Sequence, residues 1–349
     1  MSSTSMTASR PFHSSSPRLS AILTFVALVA CACSGPSVVT DAPDVSPTAV
    51  LTLPPATATP IPTPAPTPLP ALTLLWQGAG PVTGKLATYW PAIDPVTGNI
   101  WVAASAQNQF WIFKADGTFV EAWGTAGKGD GQFKLTTNDP NPDSTGAIAF
   151  APDGSFYVAD NGNYRVEKFN KDRKFVTKWG SFGTGPGQFG SPKGIATDGT
   201  TVWVADDGGT LQAFDASGKF LRSTPFPFVL FSRASSGHFL VADPTGVLEV
   251  DTAGATVQHL DVAWPSLGGD PSDVVADGRG HLFVGIQDRS GPKGLVELDV
   301  ATGTVLGEWS NGAETMAVSA DGKVLYLAYT GPGIPSGIGW PYIEAVALP

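Results

Sequence analysis

A short apolar motif recurs six times along the chain and constrains the fold more than any other feature. The copies stand 37 to 56 residues apart. Each follows a turn that contains glycine, and β-branched and aromatic residues dominate it, a composition that favours strands over helices. Repeats of this period predict one structural unit copied six times. The copies are Trp101-Val-Ala, Tyr157-Val-Ala-Asp160, Trp203-Val-Ala-Asp206, Leu240-Val-Ala-Asp243, Phe283-Val-Gly and Tyr326-Leu-Ala.

Another strand follows each of the first three copies, and one more strand follows after a tight turn. The two are marked by phenylalanines six residues apart, at 113 and 119, 169 and 175, and 214 and 220. Strand, glycine-bearing turn and strand, repeated about every 40 residues, is the pattern of a β-propeller blade. Blades one and two are the most alike, because Phe119-Val-Glu-Ala-Trp-Gly124 and Phe175-Val-Thr-Lys-Trp-Gly180 stand 56 residues apart.

The first three repeats also resemble the NHL repeat. The resemblance rests on Gly131-Gln-Phe133, Gly187-Gln-Phe189 and Tyr157-Val-Ala-Asp-Asn-Gly-Asn-Tyr-Arg-Val-Glu-Lys-Phe169, and it covers about residues 87–225. The last three repeats keep only the strand rhythm. The resemblance implies an NHL-type six-bladed propeller, an all-β fold that we place at residues 72–349.

The two ends of this domain are predicted to meet in one blade. Leu72-Thr-Leu-Leu-Trp-Gln-Gly78 resembles the Trp-Gly strands of blades one and two, whereas the chain ends at Tyr342-Ile-Glu-Ala-Val-Ala-Leu348 without a fourth strand for blade six. We therefore expect residues 72–77 to supply that strand. Closing the ring in this way removes the free sheet edges.

Residues 1–30 have the features of a bacterial lipoprotein signal peptide. Arg10 and Arg18 precede an apolar run that is shorter than the roughly 20 residues of a membrane-spanning helix. Leu28-Val-Ala-Cys31 resembles a lipobox, which implies lipidation of Cys31 and anchoring to the envelope by an N-terminal lipid; a plain signal peptide cut near Ala32 is the alternative. Both cysteines, Cys31 and Cys33, precede the folded part, so neither a disulfide framework nor a thiol site is expected there.

Residues 31–71 are predicted to form a disordered tether rich in Pro, Thr and Ala. Proline at almost every second position from Pro54 to Pro70 favours an extended polyproline backbone.

Without Arg10 and Arg18 the chain has 18 basic residues against 30 acidic ones, a net charge near −12. Such a surface repels nucleic acid and anionic lipid, so we expect no nucleic-acid partner and attachment to the membrane only by the lipid. A monomer is expected.

Asp160, Asp206 and Asp243 recur at the same blade position, where turn chemistry explains them better than catalysis does. The glycine-rich runs after Gly124 and Gly183 are not followed by a helix pattern, so we interpret them as turns between blades.

Six sites entering the innermost strands are candidates for the central channel: Tyr89-Trp90, Ser144-Thr145, Lys193-Gly194, Phe228, Ser272-Asp273 and Glu314-Thr315. Asp273 and Glu314 either hold a divalent cation through carboxylate oxygens or pair with Lys193.

Two hypotheses for the function follow. The first is a non-enzymatic scaffold that binds a protein, peptide or glycan, with a candidate surface at Tyr89, Trp90, Lys193, Phe228, Trp340 and Tyr342. Trp340 and Tyr342 belong to a Gly/Pro-rich insert that either contacts the ligand or closes the channel. The second is a metal-dependent hydrolase or lactonase similar to the gluconolactonase-like propellers, with Asp273 and Glu314 as ligands. No catalytic residue is assigned, and no cofactor is expected beyond that cation.

The positions of the histidines argue against two other classes of propeller enzyme. Peptidyl-hydroxyglycine lyases and streptogramin lyases have a similar architecture but depend on histidines that converge at the axis. Here His238 and His281 share a blade position just after a turn glycine, away from the innermost strands, and His259 stands alone.

Overall fold

The chain folds into six four-stranded antiparallel sheets arranged as the blades of a propeller, as the repeats predict. The computed structural model describes residues 72–79, 88–136, 146–228, 231–233, 236–264, 268–288, 291–309, 313, 315–329 and 342–348. Among these residues, no helix has the length and apolarity to cross a bilayer. The innermost strands of neighbouring blades contact one another around the axis.

The first strand of the chain, β1 (Thr73–Ala79), belongs to the last blade. Blade 1, from the axis outwards, consists of β2 (Thr88–Ile93), β3 (Ile100–Ala104), β4 (Gln109–Phe113) and β5 (Phe119–Trp123). Two short parallel strands, β6 (Thr125–Ala126) and β7 (Gln132–Phe133), lie between blades 1 and 2 in the sequence. Blade 2 consists of β8 (Ile148–Phe150), β9 (Phe156–Asp160), β10 (Arg165–Phe169) and β11 (Phe175–Trp179). Blades 3 and 4 are β12 (Pro192–Thr197), β13 (Thr201–Asp206), β14 (Thr210–Asp215), β15 (Phe220–Pro225), then β16 (Ser232–Arg233), β17 (Phe239–Asp243), β18 (Gly246–Val250) and β19 (Thr256–Asp261). Blades 5 and 6 are β20 (Asp270–Ala276), β21 (His281–Asp288), β22 (Gly291–Asp299), β23 (Val305–Trp309), then β24 (Thr315–Val318), β25 (Val324–Tyr329), β26 (Tyr342–Ala347) and β1.

The ring is closed by a strand from each end of the domain, which confirms the prediction for residues 72–77. β1 pairs antiparallel with β26, with Thr73 opposite Ala347 and Gly78 opposite Ile343. Trp76 of β1 reaches blade 1, where its Nε1 donates a hydrogen bond of 2.7 Å to the carbonyl oxygen of Ala115. The closing strand therefore completes blade 6 and joins it to blade 1.

The hydrophobic core lies between the blades. One apolar cluster joins Tyr326 and Ile343 of blade 6 to Ile100 and Val102 of blade 1. Five similar clusters join the other neighbouring blades, so the core runs around the whole ring. Burial of apolar surface contributes about 25 cal/mol per Å², and no blade can bury its faces without its neighbours.

Every blade has a β-bulge near the start of its outermost strand, a feature that the sequence did not predict. In each case the register against the third strand shifts and one aliphatic residue is left without a partner. These side chains are exposed, from 36% for Leu306 to 55% for Val257. Bulges bend and twist a strand, which protects an outer edge from pairing with another chain. The bulged residues are Leu75, Val120, Val176, Leu221, Val257 and Leu306.

The two faces of the ring differ in their connections. The loops between second and third strands and the segments that lead to the next blade gather on one face, here named the connector face. The turns between first and second strands and between third and fourth strands form the opposite face, here named the hairpin face. On the hairpin face, aspartate side chains accept hydrogen bonds from backbone N–H groups of their own turns, such as Thr118 N–H to Asp116 and Ser217 N–H to Asp215. Hydrogen bonds from the side chains of Thr118 and Ser217, together with these N–H groups, lower the pKa of Asp116 and Asp215.

Candidate functional site

The connector face of blades 2 and 3 is held by aspartates at the end of the second strand. Asp160 Oδ1 accepts the backbone N–H of Lys134 at 2.6 Å, and the two oxygens of Asp206 accept the N–H groups of Gly190 and Ser191 at 2.9 and 2.6 Å. Asp243 instead binds its own turn, through the N–H and hydroxyl groups of Thr245. All three therefore satisfy backbone groups, as predicted, but Asp160 and Asp206 bind the segment that arrives from the preceding blade.

A buried ionic network fixes the segment between blades 1 and 2. The guanidinium group of Arg165 donates to the carbonyl oxygens of Lys128, Gly129 and Gln132 at 2.8 to 2.9 Å. The same group pairs with Asp160 at 2.8 Å and with Glu167. Arg165 is 7% exposed, and both carboxylates are buried.

Burial changes the ionisation of this network. It raises the pKa of Asp160, and it raises the pKa of Glu167 to about 7 although Arg165 lies beside it. Glu167 Oε2 also accepts the N–H of Gly131 at 2.7 Å. The network thus binds the glycine-rich segment at both its carbonyl and its N–H groups, which explains why that segment is a well-defined turn rather than a phosphate loop.

Three of the predicted axial residues lie at bulges of the inner strands. The register of the first strand shifts at Trp90 in blade 1, at Lys193 in blade 3 and at Asp273 in blade 5. Trp90 and Lys193 stand in the half of the strand nearer the connector face, and Asp273 stands at the midpoint of its strand. A bulge changes the direction of a side chain, so these positions are the ones where the inner ring departs from a regular sheet.

Trp90 has an unusual backbone, with φ of 62°. Its N–H donates to Oγ1 of Thr315 at 2.9 Å, and its ring packs against the apolar cluster between blades 2 and 3. Phe228 packs against the cluster between blades 3 and 4, with its ring centroid 5.3 Å from that of Phe226. Positive φ is strained for a large aromatic residue, so the fold tolerates a strained backbone at Trp90 where its ring packs against this cluster.

Asp273 acts as a cross-link between blades. Its Oδ2 accepts the N–H of Met316 in blade 6 at 2.7 Å, and its Oδ1 accepts the N–H of Val274 at 3.0 Å. Burial raises the pKa of this carboxyl group to about 7. Lys193 pairs with Asp207 of its own blade at 3.0 Å. The predicted pairing of Lys193 with the carboxylate of Asp273 is therefore replaced by two separate interactions.

The other predicted residues are placed only in part. Glu314, Trp340 and Cys31 lie outside the described residues, and for Tyr89 and Tyr342 only the strand position is described. A cation bound by Asp273 with Glu314 accordingly stays a prediction. Across the described ranges, no three His, Cys, Asp or Glu side chains form a set of metal ligands.

The histidines have partners away from the axis. His238 Nδ1 lies 2.8 Å from Glu249, and His281 Nδ1 lies 3.1 Å from Asp277 and 3.4 Å from Glu297. Both pairs stand at the hairpin-face end of their blades, as their shared position predicts.

An aromatic pair on the connector face was missed by the sequence reasoning. Tyr164 ends the loop of blade 2, and Phe182 lies on the segment that leads to blade 3. Their ring centroids are 4.9 Å apart with an interplanar angle of 64°. Phe182 is 70% exposed. The one signal in the sequence was that Phe182 interrupts a run of small residues, Gly180-Ser-Phe-Gly-Thr-Gly-Pro-Gly187.

Comparison with known proteins supports the fold and the repeat type. No protein-family model matches the chain. NHL repeat-containing protein 3 of Mus musculus is 27% identical over 251 residues, which cover 52% of this chain and 72% of the mouse protein.

Two solved structures are similar in fold. A presumed gluconolactonase has a TM-score of 0.53 at 13% identity, covering 80% of this chain and 93% of that one. A catalytically inactive virginiamycin B lyase from Staphylococcus aureus, solved with quinupristin, has a TM-score of 0.50 at 15% identity, covering 77% and 83%. The chain is therefore a six-bladed β-propeller whose repeats are similar to NHL repeats.

Proposed function

We propose that this propeller is an envelope-anchored scaffold that binds a protein, peptide or glycan through its connector face without converting it. The observation that carries the proposal is the aromatic pair of exposed Phe182 and half-buried Tyr164, presented on loops that buried hydrogen bonds hold in place. Rigid loops lose little conformational entropy when a ligand binds, which favours affinity. Exposed aromatic residues are enriched where proteins bind partners.

The buried carboxylates favour a structural role over catalysis. Asp160, Asp206 and Asp273 each accept backbone N–H groups with both oxygens or with one oxygen and an ion pair. A general acid or base must instead reach its substrate by a hydrogen bond. The oxygens of these carboxylates are already bound within the protein, where they join blades and connectors. Such contacts suit a rigid surface that presents a binding site.

The attachment of the tether suits the same function. Lipidation of Cys31 would anchor the chain, and the Pro-rich residues 54–70 would act as a semi-rigid spacer. The propeller begins at Thr73, which pairs with Ala347 at the hairpin-face end of blade 6. The end of β1 to which residues 31–71 are joined therefore lies on the face opposite to the aromatic pair.

Oriented capture tests this proposal. In a full-length Cys31→Ser/Cys33→Ser chain, a single thiol is introduced either on the hairpin face, by Ala253→Cys, or on the connector face, by Thr184→Cys. Both positions are exposed. Each protein is captured on a sensor through its thiol and presented with a displayed peptide library, neutral and charged oligosaccharides, and extracted envelope proteins.

We expect saturable binding by the chain captured through Ala253→Cys and at least tenfold weaker binding by the chain captured through Thr184→Cys. Equal binding in both orientations would show that the connector face is not the binding surface. Chemical conversion of a bound ligand, or no saturable binding in any of the three classes, would contradict the scaffold function.

A further inference from the structure

We infer that Tyr164 and Phe182 form a stacking platform for a neutral sugar unit of a glycan. This inference rests on the proposed function and narrows it to one site and one class of ligand. Among the exposed large hydrophobic residues described, Phe182 stands apart on the connector face. The others, such as Val96, Val120 and Val176, lie in hairpin turns or near the hairpin-face end of the outer strands.

The fold does not require aromatic residues at these two positions. Blade 1 provides the comparison, because its repeat matches that of blade 2 with an offset of 56 residues. Asn108 stands where blade 2 has Tyr164, and Ala126 stands where it has Phe182. Ala126 pairs with Phe133 in the same parallel manner as Phe182 pairs with Phe189. The backbone is thus alike in both blades, and only blade 2 adds exposed aromatic surface.

Tyr164 also adopts an unfavourable backbone conformation. Its φ is 57°, in the left-handed region, and Asn108 has a φ of 55° at the equivalent position. Asparagine tolerates this conformation, whereas a bulky aromatic residue there is an outlier. Asn108 also accepts the N–H of Leu135 at 2.8 Å through its side chain. Tyr164 replaces a residue that suits the loop better, which is typical of positions that serve binding.

The platform is held in place before any ligand arrives. The N–H of Phe189 donates to the carbonyl oxygen of Ser181 at 2.9 Å, and the N–H of Gly183 donates to the carbonyl oxygen of Phe189 at 3.2 Å. The side chain of Gln188 accepts the N–H of Gly185 at 3.1 Å. These bonds fix the backbone on both sides of Phe182, so the edge-to-face arrangement with Tyr164 is set by the fold.

The segment that carries Phe182 favours an uncharged ligand. Residues 180–192 contain no charged side chain, although the chain as a whole has 30 acidic and 20 basic residues. Ser181 and Thr184, which carry hydroxyl groups, are exposed residues beside Phe182 in the sequence. A neutral pyranose matches this surface, because its C–H bonds pack on the electron-rich face of an aromatic ring and its hydroxyl groups exchange hydrogen bonds with serine and threonine. A basic or acidic ligand would find no counter-charge on this segment.

The test compares the platform of blade 2 with that of blade 1. The variant Tyr164→Asn/Phe182→Ala gives blade 2 the residues of blade 1 at both positions. The control is Val120→Ala, which removes an exposed apolar side chain of the outer strand of blade 1. Binding of cellohexaose, maltohexaose and chitohexaose to the full-length Cys31→Ser chain is measured by calorimetry, with oligogalacturonate and a proline-rich peptide as ligands of other chemistry. The melting temperature of each protein is recorded alongside.

We expect at least one neutral hexasaccharide to bind the parent chain and the Val120→Ala control with equal affinity. Its affinity for the double variant should fall at least tenfold, with a melting temperature no lower than that of the parent. Unchanged affinity of the double variant would overturn the inference, as would platform-dependent binding of oligogalacturonate or the peptide alone, or no binding of any neutral sugar. If the sugars fail while oriented capture still shows binding through the connector face, the scaffold function stands and only the glycan site is wrong.

Discussion

Glu167 of blade 2 and Gln212 of blade 3 occupy the same position and bind the same backbone group of their connectors. Glu167 accepts the N–H of Gly131 at 2.7 Å, and Gln212 accepts the N–H of Gly187 at 2.8 Å. Glu167 pairs in register with Val158, as Gln212 does with Val204 in the next blade. This contact between a connector and the third strand of the next blade, here named the latch, therefore uses the buried acidic side chain of Glu167 in blade 2 and the neutral side chain of Gln212 in blade 3.

The second half of the latch explains why Arg165 is present. In blade 3, Nε2 of Gln212 also donates to the carbonyl oxygen of Gln188 at 2.6 Å. A carboxylate cannot donate, so in blade 2 the equivalent carbonyl oxygen of Gln132 is bound by Arg165, at 2.8 Å. The charge of Glu167 and the guanidinium of Arg165 together replace one neutral amide.

Replacing Arg165 alone is expected to lower the free energy of unfolding more than replacing Arg165 and Glu167 together. At a pH above the raised pKa of Glu167, Arg165→Thr, which introduces the residue found at the equivalent Thr210, leaves Glu167 and Asp160 buried without their shared cation. This should destabilise the protein by about 3–5 kcal/mol. Arg165→Thr/Glu167→Gln installs the neutral latch and should recover at least about 2 kcal/mol of that loss. Urea denaturation of the parent and both variants measures this. A double variant as unstable as the single one would show that the latches are not equivalent.

Asp273 should make stability depend on pH. Its pKa is raised to about 7 from an ordinary value near 3.8, so the folded state favours the protonated carboxyl group. The stabilisation is complete below about pH 4 and is lost as the pH rises through 7. Because Asp273→Asn cannot titrate, the free energy of unfolding of the parent should fall relative to the variant between pH 4 and 7, by up to about 4 kcal/mol.

Denaturation midpoints at each pH unit from 4 to 8 check this expectation. Asp270→Asn removes one charge from an exposed position of the same strand and serves as the control. A constant difference between the parent and Asp273→Asn across this range would mean that Asp273 keeps an ordinary pKa in the fold.

The closing strand should depend on Trp76. Its ring lies 6.3 Å from that of Phe113 and 6.1 Å from that of Tyr326, and its Nε1 binds the carbonyl oxygen of Ala115. Trp76→Ala removes packing against two blades and should lower the free energy of unfolding by about 2–4 kcal/mol. Leu74→Ala, at a half-exposed position of the same strand, should change it by less than about 0.5 kcal/mol. Similar losses in both variants would argue against this role of Trp76.

The proposed lipid anchor depends on one residue, Cys31. The parent chain, expressed in a bacterial host that processes lipoproteins, should partition with the membrane fraction and into detergent. Cys31→Ser should abolish this partitioning and leave the propeller folded, because residue 31 precedes the folded domain. Mass spectrometry of the mature N-terminus identifies the acyl chain. Membrane association of Cys31→Ser equal to that of the parent would contradict lipidation at this residue, and Cys33→Ser then tests the neighbouring cysteine.

The blade number, the turns and the ring closure followed from the sequence because they repeat locally. Each copy has its own apolar alternation and turn glycine, and the Trp-Gly strand ending at Gly78 has two matching copies. The contacts of Arg165 and the pairing of Tyr164 with Phe182 were not predictable in this way. They depend on how the glycine-rich segments fold back, as in the parallel pairing of Thr125–Ala126 with Gln132–Phe133. Asp273 was predicted near the axis, but its acceptance of the Met316 N–H depends on the register between two blades.

The central claim, that the connector face binds the ligand and the hairpin face does not, is tested most directly by hydroxyl-radical footprinting of the full-length protein. The lipidated chain is oxidised in intact envelopes, where its ligand is present, and again after purification in detergent. We expect Tyr164 and Phe182 to be oxidised several-fold less in the envelope, with Val96 and Leu221 of the hairpin-face side unchanged. Protection of Val96 and Leu221 in place of the aromatic pair, or no protection of the connector face, would contradict the account.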